Sequence, residues 1–152
     1  MWRNRGKNMT AAFIGGVQLK RGDGEPVSEA FTIVPEMTIA PNLGASYALV
    51  EVSNYDSVQL KEYISEYLGD GSEVDISWNL ILGDVEQEGV KADIDGGVSR
   101  NYEMTVTDGT TTLTSTFTLT PIGWNRNASF TEAHTLAAKF KISGAIVDVI
   151  TP

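Results

Sequence analysis

The chain of 152 residues has no cysteine and a single histidine. Disulfides, thiolate metal ligands and thiol nucleophiles are therefore excluded, and a fold that needs no bridges suits a reducing compartment. No hydrophobic run approaches the ~20 residues of a membrane-spanning helix. The apolar stretch after the basic first residues is too interrupted for a signal peptide. A chain of this length can bury a core by itself, so we expect one domain over residues 1–152.

Basic residues are scarce, because 11 lysines and arginines stand against 20 acids, for a net charge of −9. Residues 1–21 hold five of the bases and no acid, whereas residues 22–152 hold six bases and twenty acids, a net charge of −14. Affinity for nucleic-acid phosphates comes from clustered lysine and arginine, so the body of the chain does not read as a nucleic-acid-binding domain. The basic N-terminal arm, residues 1–10, could contact an acidic neighbour or could be a solvated terminus.

No pattern of residues indicates catalysis or a cofactor. His134 reads as a surface residue, and no Gly-x-Ser-x-Gly motif marks a serine nucleophile. Residues 93–96 resemble the start of a calcium loop but lack its later ligands. Glu86, Glu88 and Asp93 are close in sequence, but glycosidase chemistry needs two acids across a cleft. We therefore expect no enzyme, and no catalytic, cofactor-binding or metal-binding residues.

Alternating apolar residues predict about seven strands, mostly antiparallel. The clearest strand covers residues 73–82, where Val74, Ile76 and Trp78 face one way. Asp108–Gly109 is typical of a two-residue hairpin turn. The stretch 22–46 reads as a long loop or hairpin excursion. Together these features predict a mainly β fold, an antiparallel β-sandwich or partly closed barrel.

Two segments carry helical signals. In residues 57–68, apolar side chains recur at i, i+3 and i+4 after an N-capping Asp56 and before a glycine stop at Gly69, which predicts a helix flanking the sheet. Residues 84–94 are also compatible with a short helix, capped by Asp84 and ended by glycines, although Gly89 in its middle disfavours it.

A third feature is the uncharged stretch 109–125, whose alternate positions are nearly all threonine. Exposed strands are normally protected by charges, prolines or bulges. Either this stretch is a central strand covered on both sides, or it pairs with a neighbouring subunit, for which uncharged, β-branched threonine is well suited. Together with the basic arm, the candidate subunit-interface residues are Trp2, Arg3, Arg5, Thr112, Thr114, Thr116 and Thr118.

The order of these elements resembles the major tail tube proteins of long-tailed phages. The matching segments are an acidic strand end, a Tyr-Ile pair, a glycine-rich stop and a strand, followed by an aromatic-bearing hairpin and a closing strand, at residues 50–57, 63–64, 68–74, 100–104, 108–117 and 138–144. The stop reads Leu-Gly-Asp-Gly-Ser, slightly altered from the Gly-Leu-Asp-Gly-Gly-like order of the family. The resemblance covers roughly residues 46–146.

The resemblance implies a structural, non-catalytic subunit of a virion tail, made in the host cytoplasm and not inserted in a membrane. Six copies would form a ring, and stacked rings would form a tube through which genome DNA passes without specific binding. Tape-measure and tail-terminator proteins would be further partners, and residues 1–10 and 23–45 would bridge rings. The acidic balance agrees with this role, because a wall of negative sign repels the duplex.

Two other classes of function stay open at the level of sequence. The chain could be the related tube subunit of a contractile secretion system. It could instead be a monomeric carbohydrate-binding β-sandwich, in which Trp124 would stack on a sugar, or, as a remoter alternative, a small hydrolase.

Overall fold

A computed structural model describes residues 15–56 and 58–152, and about half of them lie in strands. The eleven strands are β1 (Val17–Gly22), β2 (Phe31–Ile33), β3 (Met37–Ile39), β4 (Ala45–Ser46), β5 (Leu49–Glu51), β6 (Tyr63–Ser65), β7 (Asp70–Gly71), β8 (Glu73–Asn79), β9 (Arg100–Thr107), β10 (Thr112–Asn127) and β11 (Thr135–Thr151). Within the same residues, helix α1 (Val85–Gly96) lies between β8 and β9.

Seven of the strands form one antiparallel sheet that curls into a half-barrel, in the order β2-β1-β9-β10-β11-β8-β3. The mainly β fold predicted from alternation is thus confirmed. The stretch 22–46, predicted as an excursion, contributes β2 and β3, which lie at opposite edges of this sheet.

The core lies on one face of the sheet, where alternate residues of β8, β10 and β11 are buried, together with Tyr102 of β9. Trp78 on β8 has no exposed surface, which confirms its predicted place on the apolar face. The rings of Tyr102 and Phe140 meet at a centroid distance of 5.9 Å. The opposite face, here called the outer face, carries the alternate polar residues, which are half-exposed or exposed: Gln18, Lys20, Glu73, Asp75, Asn101, Glu103, Thr105, Thr107, Thr112, Thr114, Thr116, Thr118, Lys139 and Lys141.

Helix α1 begins and ends where the capping residues predict. The carboxylate of Asp84 accepts the N–H of Gln87 at 2.9 Å, and Gly97 ends the helix in the left-handed region. Gly89, which disfavours a helix by propensity, leaves room for the guanidinium of Arg21, since a Cβ there would lie 2.7 Å from Arg21 Nη1. The packing of the helix against the sheet therefore explains why a glycine occupies the middle of α1. No helix in the described part of the chain is long and apolar enough to cross a membrane.

The prediction of a helix over residues 57–68 is wrong. Tyr63–Ser65 forms β6, which pairs with β5, and Gln59, at the expected third helical position, has a φ of 72°. A helix of about twelve residues is marginal in water unless its apolar stripe docks on a surface. Here the stripe has no such surface, and the strand-forming side chains of Tyr63 and Ile64 pair with residues 49–51 instead.

The turn between β9 and β10 spans four residues rather than the predicted two. The side chain of Asp108 accepts the N–H groups of Thr111 at 2.7 Å and Thr110 at 2.8 Å. These two bonds hold the pKa of Asp108 below its usual value. Because the folded pKa is lowered, the ionised carboxylate stabilises the fold above its unfolded pKa of about 3.9, and this contribution is lost as the pH falls through the folded value.

Replacing Asp108 with alanine should therefore lower the melting temperature at neutral pH and lower it progressively less as the pH falls below about 4. Circular dichroism melts across this range measure the difference. The matched control is Asp108→Asn, which keeps an acceptor oxygen but does not titrate, so its melting temperature should lack this acid-dependent component. A deficit for the alanine variant that stays constant into strong acid would show that the carboxylate charge is not involved.

Candidate assembly surfaces

Residues 44–56 and 58–72 form the two sides of a ribbon, here called the arm, that extends from the main sheet. Two short ladders, β4–β7 and β5–β6, join its two sides. Further backbone bonds run from Glu66 N to Ala48 O at 2.7 Å and from Val52 N to Glu62 O at 2.8 Å. The two sides of the arm are therefore joined by antiparallel pairing from its base to residues 52 and 62, and residues 53–56 and 58–61 form its tip.

The arm exposes an unusual number of large apolar side chains. Leu49 is 67% exposed and Ile64 is 55% exposed. The other exposed apolar residues of the arm are Tyr47, Val50, Val52, Tyr55, Val58, Leu60, Tyr63, Tyr67 and Leu68. The arm also carries five acids and one lysine, a net charge of −4. Soluble monomers rarely expose this much apolar side-chain surface, and an isolated two-stranded ribbon is at best marginally stable alone.

The root of the arm, residues 69–72 where it joins β8, packs tightly against β11. Ile142 donates its N–H to Ser72 O at 3.0 Å, and a Cβ at Gly71 would lie 2.3 Å from Ile142 O, so only glycine fits there. Gly69 likewise leaves space for the ring of Tyr47. Between this root and β11 lies an open groove of about 860 Å³, lined by Tyr47, Tyr67, Leu68 and residues 141–146.

One edge of β11 is open beside this groove. Strand β8 pairs with residues 135–141 of β11, whereas residues 143–151 pair with β10 alone in the described part of the chain. Val147, Val149 and Ile150 on this segment are more than half exposed. A strand edge with free backbone groups and exposed β-branched side chains is a template for pairing with another chain.

The threonine stretch does not offer such an edge. Thr112, Thr114, Thr116 and Thr118 pair with β9 on one side and with β11 on the other, so their strand is central, which is the first of the two alternatives that the sequence left open. Their side chains point to the outer face, and whether that face meets a neighbouring copy stays a prediction. Trp2, Arg3 and Arg5 lie outside the described residues.

An ion-pair network fastens α1 to the core side of the sheet. Arg100 holds Asp93 with two bonds, Nε to Oδ2 at 2.6 Å and Nη2 to Oδ1 at 2.8 Å, and Arg21 Nη2 lies 2.8 Å from Oδ2. Arg21 also reaches Glu86 at 3.3 Å. The hydrogen bond to Asp93, partly offset by burial, raises the pKa of Arg100. Asp93 is buried, and its carboxylate is fully engaged.

The side chains considered as chemical sites are occupied by structural contacts. Asp93 and Asp95, which began the calcium-like motif, bind arginines and the Trp124 indole respectively, and no group of three metal-ligating side chains occurs in the described residues. The Trp124 ring also lies 4.6 Å from Lys91 Nζ and 5.8 Å from Arg126 Cζ, so it is not a free sugar-stacking platform. His134 is exposed and contacts the carbonyl of Ser129.

Sequence reasoning missed the arm and the open edge of β11. The helical period of residues 57–68 predicts burial of their apolar side chains, so their exposure does not follow from the sequence pattern. A signal for a strand was present, since Tyr63 and Ile64 are both strand-forming residues.

No protein-family model matches this chain, and no curated protein matches its sequence. Solved structures do match. A chain in the virion of a native gene transfer agent particle is 10% identical with a TM-score of 0.67, and the alignment covers 91% of this chain and 99% of that one. A chain of the SPP1 tail tube is 8% identical with a TM-score of 0.64, covering 90% and 78%. The chain has the fold of these virion and tail-tube chains.

A third match extends the comparison. A chain of the anti-feeding prophage baseplate, a structure with 6-fold symmetry, is 8% identical with a TM-score of 0.64, over 93% of this chain and 97% of that one. A chain in the tail of an empty gene transfer agent particle, a structure with C6 symmetry, matches with a TM-score of 0.66. The tail-tube-like architecture implied by the sequence resemblance is thus present over nine-tenths of the chain.

Proposed function

We propose that this chain is a structural subunit that assembles into stacked rings, which form the tube of a phage-type tail and conduct genome DNA. The exposed apolar arm carries this proposal, because a single copy leaves that surface in water. The likeness to tail structures with sixfold symmetry supports a hexameric ring.

The arm and the open edge of β11 suit a head-to-tail contact. In a ring, each copy presents one surface to the next and accepts a different one from the previous copy. The arm, with Leu49 and Ile64 exposed, supplies the first kind of surface. The groove beside the edge of residues 143–151 supplies a second kind, with backbone groups and apolar side chains available for pairing.

The outer face is suited to line the bore. Helix α1 and the core lie on the other side of the sheet, and the outer face presents threonines and charged side chains in place of large apolar residues over most of its length. Its threonines would then face the bore instead of forming the contact between copies. Hexameric rings, a tape-measure protein in the bore and a terminator at the tube end are parts of this proposal.

The same proposal assigns the chain no catalytic step and no cofactor. The matched chains belong to virions, tails and a baseplate, and the acids nearest to a catalytic arrangement, Glu86 and Asp93, are held by arginines.

Imaging of the purified protein tests the proposal. Negative-stain electron microscopy should show rings or hollow filaments of uniform diameter, and sedimentation should show a concentration-dependent large species. A protein that stays monomeric at high concentration and shows no rings would overturn the proposal.

A second candidate is the tube subunit of a contractile injection or secretion apparatus. The match to the anti-feeding prophage baseplate favours it as a specific alternative. The two differ in what surrounds the tube, so particles from the native source should show either a bare flexible tube or a tube inside a contractile sheath.

A further inference from the structure

The outer face of the sheet carries three lysines, and each of them lies against a carboxylate of a neighbouring segment. Lys20 on β1 is directly opposite Glu103 on β9, and its Nζ lies 3.8 Å from Glu103 Oε1. A basic side chain on the wall of a proposed DNA channel is unexpected, because it could hold a phosphate.

The other two lysines lie on β11 and repeat the arrangement. Lys139 is directly opposite Asp75 and places its Nζ 3.6 Å from Glu73 Oε2. Lys141 is directly opposite Glu73 and places its Nζ 3.0 Å from Asp70 Oδ1. Each of the two lysines therefore has two acids within its immediate surroundings.

Acids exceed lysines on this face. Glu29 also reaches it, accepting the side-chain N–H of Asn101 at 2.8 Å, so that five carboxylates, Glu29, Asp70, Glu73, Asp75 and Glu103, surround three lysines. The remainder of the face is an uncharged region formed by threonines on β9 and β10 and by Val147 and Val149 on β11.

The energetic benefit of these pairs to folding is small, because exposed ion pairs contribute little. Their effect on a polyanion is larger. Duplex DNA binds unpaired lysines by releasing counterions, and each phosphate contact adds to the affinity. A lysine beside a carboxylate forms a pair without net charge, so the repulsion from the acid offsets much of the attraction between the lysine and a phosphate.

The lysines in turn reduce the repulsion between acids on adjacent strands. Glu73 and Asp75 are neighbours on one face of β8, and without a cation opposite them the adjacent strands would face concentrated negative charge. Like charges across a ladder destabilise it, and opposite charges favour the register.

We propose that Asp70, Glu73, Asp75 and Glu103 neutralise Lys20, Lys139 and Lys141 so that the outer face does not hold duplex DNA. This inference rests on the proposed function in one respect, that the outer face lines the bore. The lysines thus favour the strand register through their ion pairs, and the surrounding acids leave no net positive site on this face for a phosphate.

A charge-matched pair of variants tests this inference. The face variant D70N/E73Q/D75N/E103Q removes the four neutralising carboxylates. The control E25Q/D56N/E88Q/E132Q removes four exposed acids that lie elsewhere, so both proteins have the same net charge. Residues 1–14 are common to both. Fluorescence anisotropy with a labelled duplex of random sequence, on unassembled protein in low salt, measures the affinity.

The face variant should bind the duplex at least about tenfold more tightly than the control. If all three lysines contact phosphates, its affinity should fall about 40-fold between 50 and 200 mM salt. Equal affinities of face variant and control, within a factor of two, would overturn the inference.

A charge-swapped protein, K20E/E103K, keeps the balance with both positions reversed. It should bind no better than the control, and tight binding by this protein would also overturn the inference. Thermal melts confirm that each variant is folded. Because the titration uses unassembled protein, its outcome is separate from imaging of rings: absence of rings refutes the tube, whereas DNA binding equal to the control refutes charge neutralisation.

Discussion

Replacing Asp93 with alanine is expected to lower the free energy of unfolding by about 3–5 kcal/mol, the usual cost of removing one partner of a buried ion pair. Asp93 is buried and holds two arginines whose side chains are less than one-fifth exposed. Without the carboxylate, Arg100 loses both bonds of its bidentate contact. Urea denaturation followed by circular dichroism measures the loss.

Asp95→Ala is the matched control for this prediction. Asp95 lies in the same helix, and its carboxylate is 54% exposed and contacts Lys91 and Trp124. Its removal should lower the free energy of unfolding by about 1 kcal/mol or less. The double variant D93A/R100M should recover part of the lost stability, because it removes an uncompensated cation together with its partner. A similar loss for Asp93 and Asp95 would show that the network does not fasten α1 to the sheet.

The substitution V50E/I64K on the arm should abolish tube formation and leave the subunit folded. The two positions are directly opposite on β5 and β6, so the new side chains form a cross-strand pair and the net charge does not change. Assembly loses the burial of two apolar side chains and must desolvate two charges. We expect about 3 kcal/mol less per contact, roughly 100-fold weaker association.

Negative-stain imaging and sedimentation compare this variant with L82E/V98K, which places the same two charges on exposed apolar positions flanking α1. The control should still form tubes, and both variants should melt within a few degrees of the parent protein. Tubes of normal length from the arm variant would show that the arm does not join neighbouring copies.

The helix α1 and the segment 57–68 show why some elements were predictable and others were not. Asp84 and Gly97 act locally, since each satisfies backbone groups within a few residues, and their effect can be read from the chain. The apolar stripe of residues 60–68 fits a helical period, but its outcome depends on a partner strand more than ten residues away. Local spacing does not contain that choice.

The candidate site divides in the same way. The absence of thiols, of a nucleophile motif and of a metal-ligand pattern could be read directly, and the charge imbalance argued against nucleic-acid binding. The position of the threonine strand in the sheet could not be read from the sequence, because central strands and edge strands can show the same alternation of side chains. Its neighbours β9 and β11 decide that it is central.

By itself, the sequence determined the strand-rich character of the protein, the buried face of β8 and the caps of α1, because side-chain alternation and capping are properties of neighbouring residues. The tertiary structure alone decided that residues 44–72 form an exposed arm, that β11 keeps an open edge beside it, and that each lysine of the outer face meets an acid. These features depend on which distant segments pair, and pairing is set by the register of the whole sheet.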